Sequence, residues 1–124
     1  MKHPYFATLA LFAFAVSAPA FAHTHLESSV PAKDATLAQA PEMVSLKFSE
    51  GLETAMCKLQ VKNVKSGEVV SDGKPTKRGE DENTLQIALK PLKKEKAAYE
   101  VSWKAVSKDT HKMQGTYTFT LDPK

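Results

Sequence analysis

Apolar and polar side chains alternate along several short segments of the chain. This period of two is typical of strands that bury one face. The apolar members of the alternation are Val44, Leu46 and Phe48; Cys57, Leu59 and Val61; Leu85, Ile87 and Leu89; Tyr99, Val101, Trp103 and Ala105; and Tyr117, Phe119 and Leu121. A weaker strand is predicted at residues 68–71 and a single helical turn at residues 36–39. A domain built almost wholly from strands is therefore expected after residue 22.

Turn-forming residues separate these segments. Glycines at 67, 73 and 79 follow Ser, Asp and Arg, and such pairs favour turns. Prolines at 31, 41, 75 and 91 are excluded from central strands because they cannot donate to a ladder. Five or more short strands in about a hundred residues predict an all-β fold, an antiparallel β-sandwich or a Greek-key barrel. Within it, Cys57 is predicted to be a small buried hydrophobic residue and Trp103 a core anchor.

The first 22 residues have the pattern of a cleavable signal peptide. Residues 7–16 form an apolar run, and Ala20-Phe21-Ala22 is the small-x-small sequence at which signal peptidase cuts. The run is too short and interrupted to favour a spanning helix, and no later segment could cross a membrane. We expect residues 1–22 to be removed, leaving residues 23–124 as one exported domain, periplasmic in a Gram-negative host.

The charge of this domain is modest. Removal of Lys2 from the 17 basic residues leaves 16 against 14 acidic ones, a net charge of +2. The lysines are spread along the chain, and this does not suggest a nucleic-acid partner. Cys57 is the single cysteine of the chain, which excludes an intrachain disulfide.

Cleavage after Ala22 would make a histidine the first residue of the protein. His23 would then offer a metal its free α-amine and its imidazole. Asp109 and His111 stand two residues apart and would share one face if the backbone there were extended. Nitrogen donors with a carboxylate in one plane suit Cu(II). A shared site requires that the N-terminus lie near residues 109–111.

Other interpretations of the same residues stay open. Asp109 could be a loop residue that accepts a backbone hydrogen bond, beside a solvated His111. His23-Thr24-His25 could bind Cu(II) through the amine, two deprotonated amides and the His25 ring. The copper affinity of this mode increases as pH rises, because the amides must lose their protons. Zinc accepts the same ligand types. Copper(I) prefers sulfur, but the scattered Met43, Met56 and Met113 are interpreted as packing residues.

Three stretches resemble the CopC-type family of periplasmic copper-resistance and copper-trafficking proteins. They are residues 23–31, from His-Thr-His-Leu to Ser-Ser-Val-Pro; residues 46–50, Leu-Lys-Phe-Ser-Glu; and residues 103–119, from Trp-Lys-Ala-Val-Ser-Lys-Asp-Thr-His-Lys to Gly-Thr-Tyr-Thr-Phe. The resemblance implies an immunoglobulin-like Greek-key sandwich that binds one Cu(II) ion per chain. It implies that His23 supplies amine and ring, that His111 supplies the second imidazole, and that Asp109 is an oxygen ligand or a close partner. Glu50 matches a glutamate associated with the Cu(II) site in some members.

The resemblance also implies a function. We expect a monomeric periplasmic copper carrier or buffer, not an enzyme, that passes copper to an inner-membrane transporter of the CopD type. Some family members carry a methionine-rich Cu(I) loop, whereas residues 61–77 here contain lysines and no methionine. Two alternatives remain: a histidine-brace copper oxidoreductase resembling polysaccharide monooxygenases, and a β-sandwich interaction module whose histidines are incidental.

Overall fold

The computed structural model describes residues 25–124, and these residues form eight strands and one short 3-10 turn. The strands are β1 (Leu26–Val30), β2 (Thr36–Leu37), β3 (Met43–Phe48), β4 (Lys58–Asn63), β5 (Ser71–Arg78), β6 (Asp81–Leu89), β7 (Ala97–Val106) and β8 (Lys112–Leu121), and the turn is Thr54–Met56. The five segments with the clearest alternation correspond to β3, β4, β6, β7 and β8. Residues 25–124 contain no helix long and apolar enough to cross a membrane.

The strands pack as two four-stranded sheets. The first sheet has the order β1-β3-β6-β5 and the second the order β2-β8-β7-β4. All pairings are antiparallel except that of β2 with β8. The chain changes sheets at every connection except the β5–β6 and β7–β8 hairpins, and such crossings between sheets are typical of Greek-key sandwiches. The predicted all-β sandwich is confirmed.

The inward side chains of both sheets form one core. Phe48 of β3 and Phe119 of β8 are among its fully buried members. Phe48 meets the ring of Trp103 edge to face, with ring centroids 5.1 Å apart, a favourable arrangement for two aromatic rings. Trp103 is half-buried and packs against the core, and Cys57 is buried as predicted. The alternation therefore identified the core-facing positions correctly.

Two local predictions are wrong. The predicted helical turn at residues 36–39 contains instead the two-residue strand β2, which pairs with β8. The weak strand predicted at residues 68–71 is present only as a β-bridge between Val69 and Lys62. The turn predicted at Asp72-Gly73 is wrong, because β5 begins at Ser71 and runs through the glycine. Gly73 has φ +78° at an irregularity of the β5–β6 pairing between Asp72 and Thr76. The strand therefore continues past a residue that favours turns, because a bulge absorbs it.

Candidate metal site

The loop between β7 and β8 carries both Asp109 and His111. The backbone N–H of Ser107 donates to the carbonyl of His111 at 2.9 Å, and that of Thr110 donates to the carbonyl of Ser107 at 2.9 Å. Thr110 adopts φ +71°, a left-handed conformation that is unfavourable for a β-branched residue. The loop is a tight turn, and the extended backbone assumed from the sequence is wrong.

Asp109 and His111 nevertheless meet. His111 Nδ1 lies 3.0 Å from Asp109 Oδ2, and about half of each side chain is exposed. At this distance the ring can donate a hydrogen bond to the carboxylate, which leaves Nε2 with the metal-binding lone pair. The separation also fits two neighbouring corners of a square plane, since ligands bound at about 2.0–2.1 Å lie about 2.9 Å apart. The pair can therefore act as ligand and partner or as two ligands.

Ser107 holds this pair in place. It is completely buried, and its hydroxyl group donates a hydrogen bond to Asp109 Oδ1. Ser107 Oγ also accepts a hydrogen bond from the backbone N–H of His111 at 3.1 Å. The Ser107 hydroxyl keeps the pKa of Asp109 below its usual value, with a further contribution from His111. Reasoning from the sequence missed this role of Ser107. The signal was a serine two residues before the aspartate in Ser-x-Asp-x-His, inside a predicted hairpin loop.

The first residue of the described chain is fixed against the end of β3. The backbone N–H of His25 donates to Ser49 Oγ at 2.9 Å, and the N–H of Ser49 donates to the carbonyl of His25 at 3.0 Å. Leu26 then pairs with Phe48 in the first sheet. Chain entry into the sandwich is therefore fixed immediately beside Glu50.

The residues after Glu50 connect this entry point to the loop that bears His111. The N–H of Lys108 donates to the carbonyl of Gly51 at 3.0 Å. Leu52 forms a β-bridge with Ser107, and the N–H of Glu53 donates to the carbonyl of Val106 at 2.8 Å. His25, Glu50 and the loop of residues 107–111 thus lie at one end of the sandwich, joined by a short backbone segment.

The structure brings together part of the predicted site. Asp109 and His111 are in contact, and Glu50 lies in the connecting segment. His23 and the cleavage point after Ala22 lie outside the described residues. Within residues 25–124, no group of three or more His, Cys, Asp and Glu side chains is arranged to hold a metal ion.

Residues 26–122 match the CopC domain, and the chain belongs to this family. It is 36% identical to protein YobA of Escherichia coli K12 over 107 residues, which cover 86% of this chain and 84% of YobA. It is 37% identical to copper resistance protein C of Escherichia coli over 112 residues, 86% of each chain. The crystal structure of PcoC, a methionine-rich copper resistance protein from Escherichia coli, superposes with a TM-score of 0.68 at 38% identity, covering 82% of this chain and 100% of that one. The resemblance inferred from the motifs is confirmed.

Proposed function

We propose that this protein is a periplasmic carrier or buffer of Cu(II) that serves copper homeostasis or resistance. The copper ion is its cargo, bound as one ion per chain. Two considerations support this: membership of a family whose relatives are named for copper resistance, and a carboxylate–imidazole pair at the end of the sandwich where the chain enters.

The observation that carries the proposal is the fixed entry of the chain. His25 is hydrogen-bonded to Ser49. Gly51, two residues after Ser49, is hydrogen-bonded to Lys108 in the loop that bears His111. Two residues of chain span at most about 7 Å, so His23 cannot be further than that from His25. This gives an N-terminal histidine the short tether that a shared site with His111 requires.

The proposed copper ligands come mainly from two parts of the chain, the N-terminus and the loop of residues 107–111. His23 contributes its α-amine and its imidazole, which close a chelate ring around the ion. His111 contributes a second imidazole, and Asp109 is a direct oxygen ligand or the partner that orients the ring. Glu50 contributes a further carboxylate from the connecting segment. The α-amine has an ordinary pKa of about 7.7–8.0, so Cu(II) must displace its proton on binding.

The folded structure disfavours the competing mode on His23-Thr24-His25. That mode needs the backbone amide of His25 to lose its proton and bind copper. In the fold this N–H donates to Ser49 Oγ, and the His25 carbonyl is engaged by the N–H of Ser49. Wrapping copper there would break the anchor of β1. We therefore assign the His23–His111 mode to the folded protein and the His25 mode to the unfolded chain.

Electron paramagnetic resonance of the copper-loaded protein tests this assignment. His111→Ala should change the Cu(II) spectrum of the folded protein, because one nitrogen donor is replaced. His25→Ala is the matched control and should leave the folded spectrum unaltered while changing that of the urea-unfolded chain. If only His25→Ala changes the folded spectrum, the assignment is wrong.

We further infer that the monomeric protein passes copper to an inner-membrane transporter of the CopD type and does not catalyse a reaction. A carboxylate in the copper plane would fill a position that oxygen chemistry needs open. Incubation with copper, a reductant and chitin or cellulose should yield no oxidised oligosaccharides. Their appearance would favour a histidine-brace oxidoreductase instead.

A further inference from the structure

The outer face of the second sheet carries lysines in a fixed arrangement. In the strand register, Lys58 of β4 lies directly opposite Lys104 of β7, and Lys104 lies opposite Gln114 of β8. Lys112 pairs with Val106 in the next row on the same face. Directly opposed side chains have Cβ atoms about 4.5–5.5 Å apart, and diagonal neighbours about 7–8 Å. Three ammonium groups are therefore displayed on one rigid surface, which we call the lysine face (Lys58, Lys104 and Lys112).

The positive charge of the lysine face is not balanced locally. Among residues 25–124, none of the ion pairs involves Lys58, Lys104 or Lys112. On the same face of the sheet, Glu100 is paired with Lys62 at 3.7 Å. Like charges directly opposite one another destabilise a sheet. Local features that oppose stability in this way are expected where a surface serves a function.

Two hollows flank the Lys58–Lys104 pair. One, of about 690 Å³, is lined by hydroxyl and amide side chains that include Gln60, Ser102 and Thr116. The other, of about 440 Å³, includes Met56 and Met113. Met56 is 60% exposed, and flexible methionines are common on surfaces that adapt to partners. The lysine face and its two hollows thus place cationic, hydrogen-bonding and adaptable apolar groups within reach of one partner.

The lysine face adjoins the candidate metal site, because Lys112 follows His111 directly in the chain. We propose that the lysine face docks a carboxylate-rich surface of a partner protein, which receives or delivers copper at the loop of residues 107–111. The copper-transfer part of this proposal rests on the proposed function, whereas the docking part depends only on charge and shape. An anionic membrane surface is less well matched, since such surfaces select clusters of about four to eight basic residues.

Nuclear magnetic resonance titration of the exported, processed protein with hexaglutamate tests the docking. At about 20 mM NaCl, amide shifts should concentrate on the three strands of the lysine face and fade at about 300 mM NaCl. The double variant Lys58→Gln/Lys104→Gln should bind about tenfold more weakly, since exposed ion pairs contribute modestly and two are lost. The matched control Lys74→Gln/Lys93→Gln removes two exposed lysines outside the lysine face and should bind as the parent does.

The outcomes separate this proposal from its alternatives. Equal weakening by both double variants, or shifts spread over all lysines, would overturn it as non-specific attraction. Binding to phosphatidylglycerol vesicles without binding to hexaglutamate would also overturn it, in favour of a membrane surface. Thermal melting checks that the variants fold, and we expect Lys58→Gln/Lys104→Gln to be no less stable because a like-charge pair is removed. A Cu(II) titration of the same samples tests the carrier function separately, and the double variant should keep the parent's affinity.

Discussion

Ser107→Ala removes a buried hydroxyl group that contacts both Asp109 and the backbone N–H of His111. A hydrogen bond of this kind contributes about 0.5–1.5 kcal/mol to stability. Loss of the two contacts should lower the free energy of unfolding by about 1–3 kcal/mol at neutral pH. For a domain of this size, each kcal/mol corresponds to a Tm decrease of roughly 4–8 °C. The copper affinity should also fall by about 10-fold or more, as it does when a partner that orients a metal ligand is removed.

The destabilisation should depend on pH. Folding lowers the pKa of Asp109, chiefly through the Ser107 hydroxyl. Stability from this source is present above the unfolded pKa, about 3.9, and is lost as the pH falls through the lower folded value. The Tm difference between parent and Ser107→Ala should therefore narrow below about pH 4. It should not vanish, because the contact with the His111 N–H does not titrate.

Thermal melts between pH 7 and pH 2.5, followed by circular dichroism, measure both effects. Ser102→Ala, on the outer face of β7, is the control and should change stability by at most about 0.5 kcal/mol. The reasoning is refuted if Ser107→Ala melts like Ser102→Ala, or if its Tm difference is the same at every pH.

Three further predictions follow from single residues. Cys57 is 6% exposed, and burial raises the pKa of its thiol. Labelling by Ellman's reagent should therefore be far slower in the folded than in the unfolded protein, and equal labelling rates would contradict this. The stability contributed by the protonated thiol should be lost as pH rises above about 8.5. A Cβ on Gly115 would lie 2.6 Å from a ring atom of Trp103. Gly115→Ala should therefore lower the free energy of unfolding by about 1–3 kcal/mol and shift the tryptophan fluorescence. The control Gly51→Ala, whose added Cβ has its nearest contact at 3.4 Å, should do neither. Thr110→Gly relieves a φ of +71° and should raise stability by up to about 1 kcal/mol; a lower Tm would mean that the hydroxyl bond of Thr110 to the Asp109 carbonyl outweighs the strain.

The strands that the sequence predicted are those with one face in the core. At Val44, Leu46 and Phe48, burial on one side and solvent on the other impose the alternation that the prediction uses. Strand β5 has no such signal because it is an edge strand without a fully buried residue, and its Gly73 is compatible with a turn or a bulge. Strand β2 is only two residues long and is specified by pairing with β8, which lies more than eighty residues away.

The sequence predicted that Asp109 and His111 lie close together, but it did not predict the backbone geometry that brings them into contact. Asp109 and His111 meet as predicted, yet through a tight turn with Thr110 in a left-handed conformation, not along an extended strand. The role of Ser107 depends on its complete burial, and the tether at His25 depends on pairing with Ser49 across 24 positions of sequence. Both are tertiary contacts, and a local pattern does not encode them.

A Cu(II) titration of two forms of the protein tests the central claim, that the processed N-terminus supplies a chelating histidine to a site completed by His111. One form begins at His23, and the other carries one additional residue before it. We predict that both forms melt at the same temperature, and that the extension abolishes the amine–imidazole chelate and weakens copper binding sharply. Equal affinities and identical copper spectra for the two forms would contradict the account.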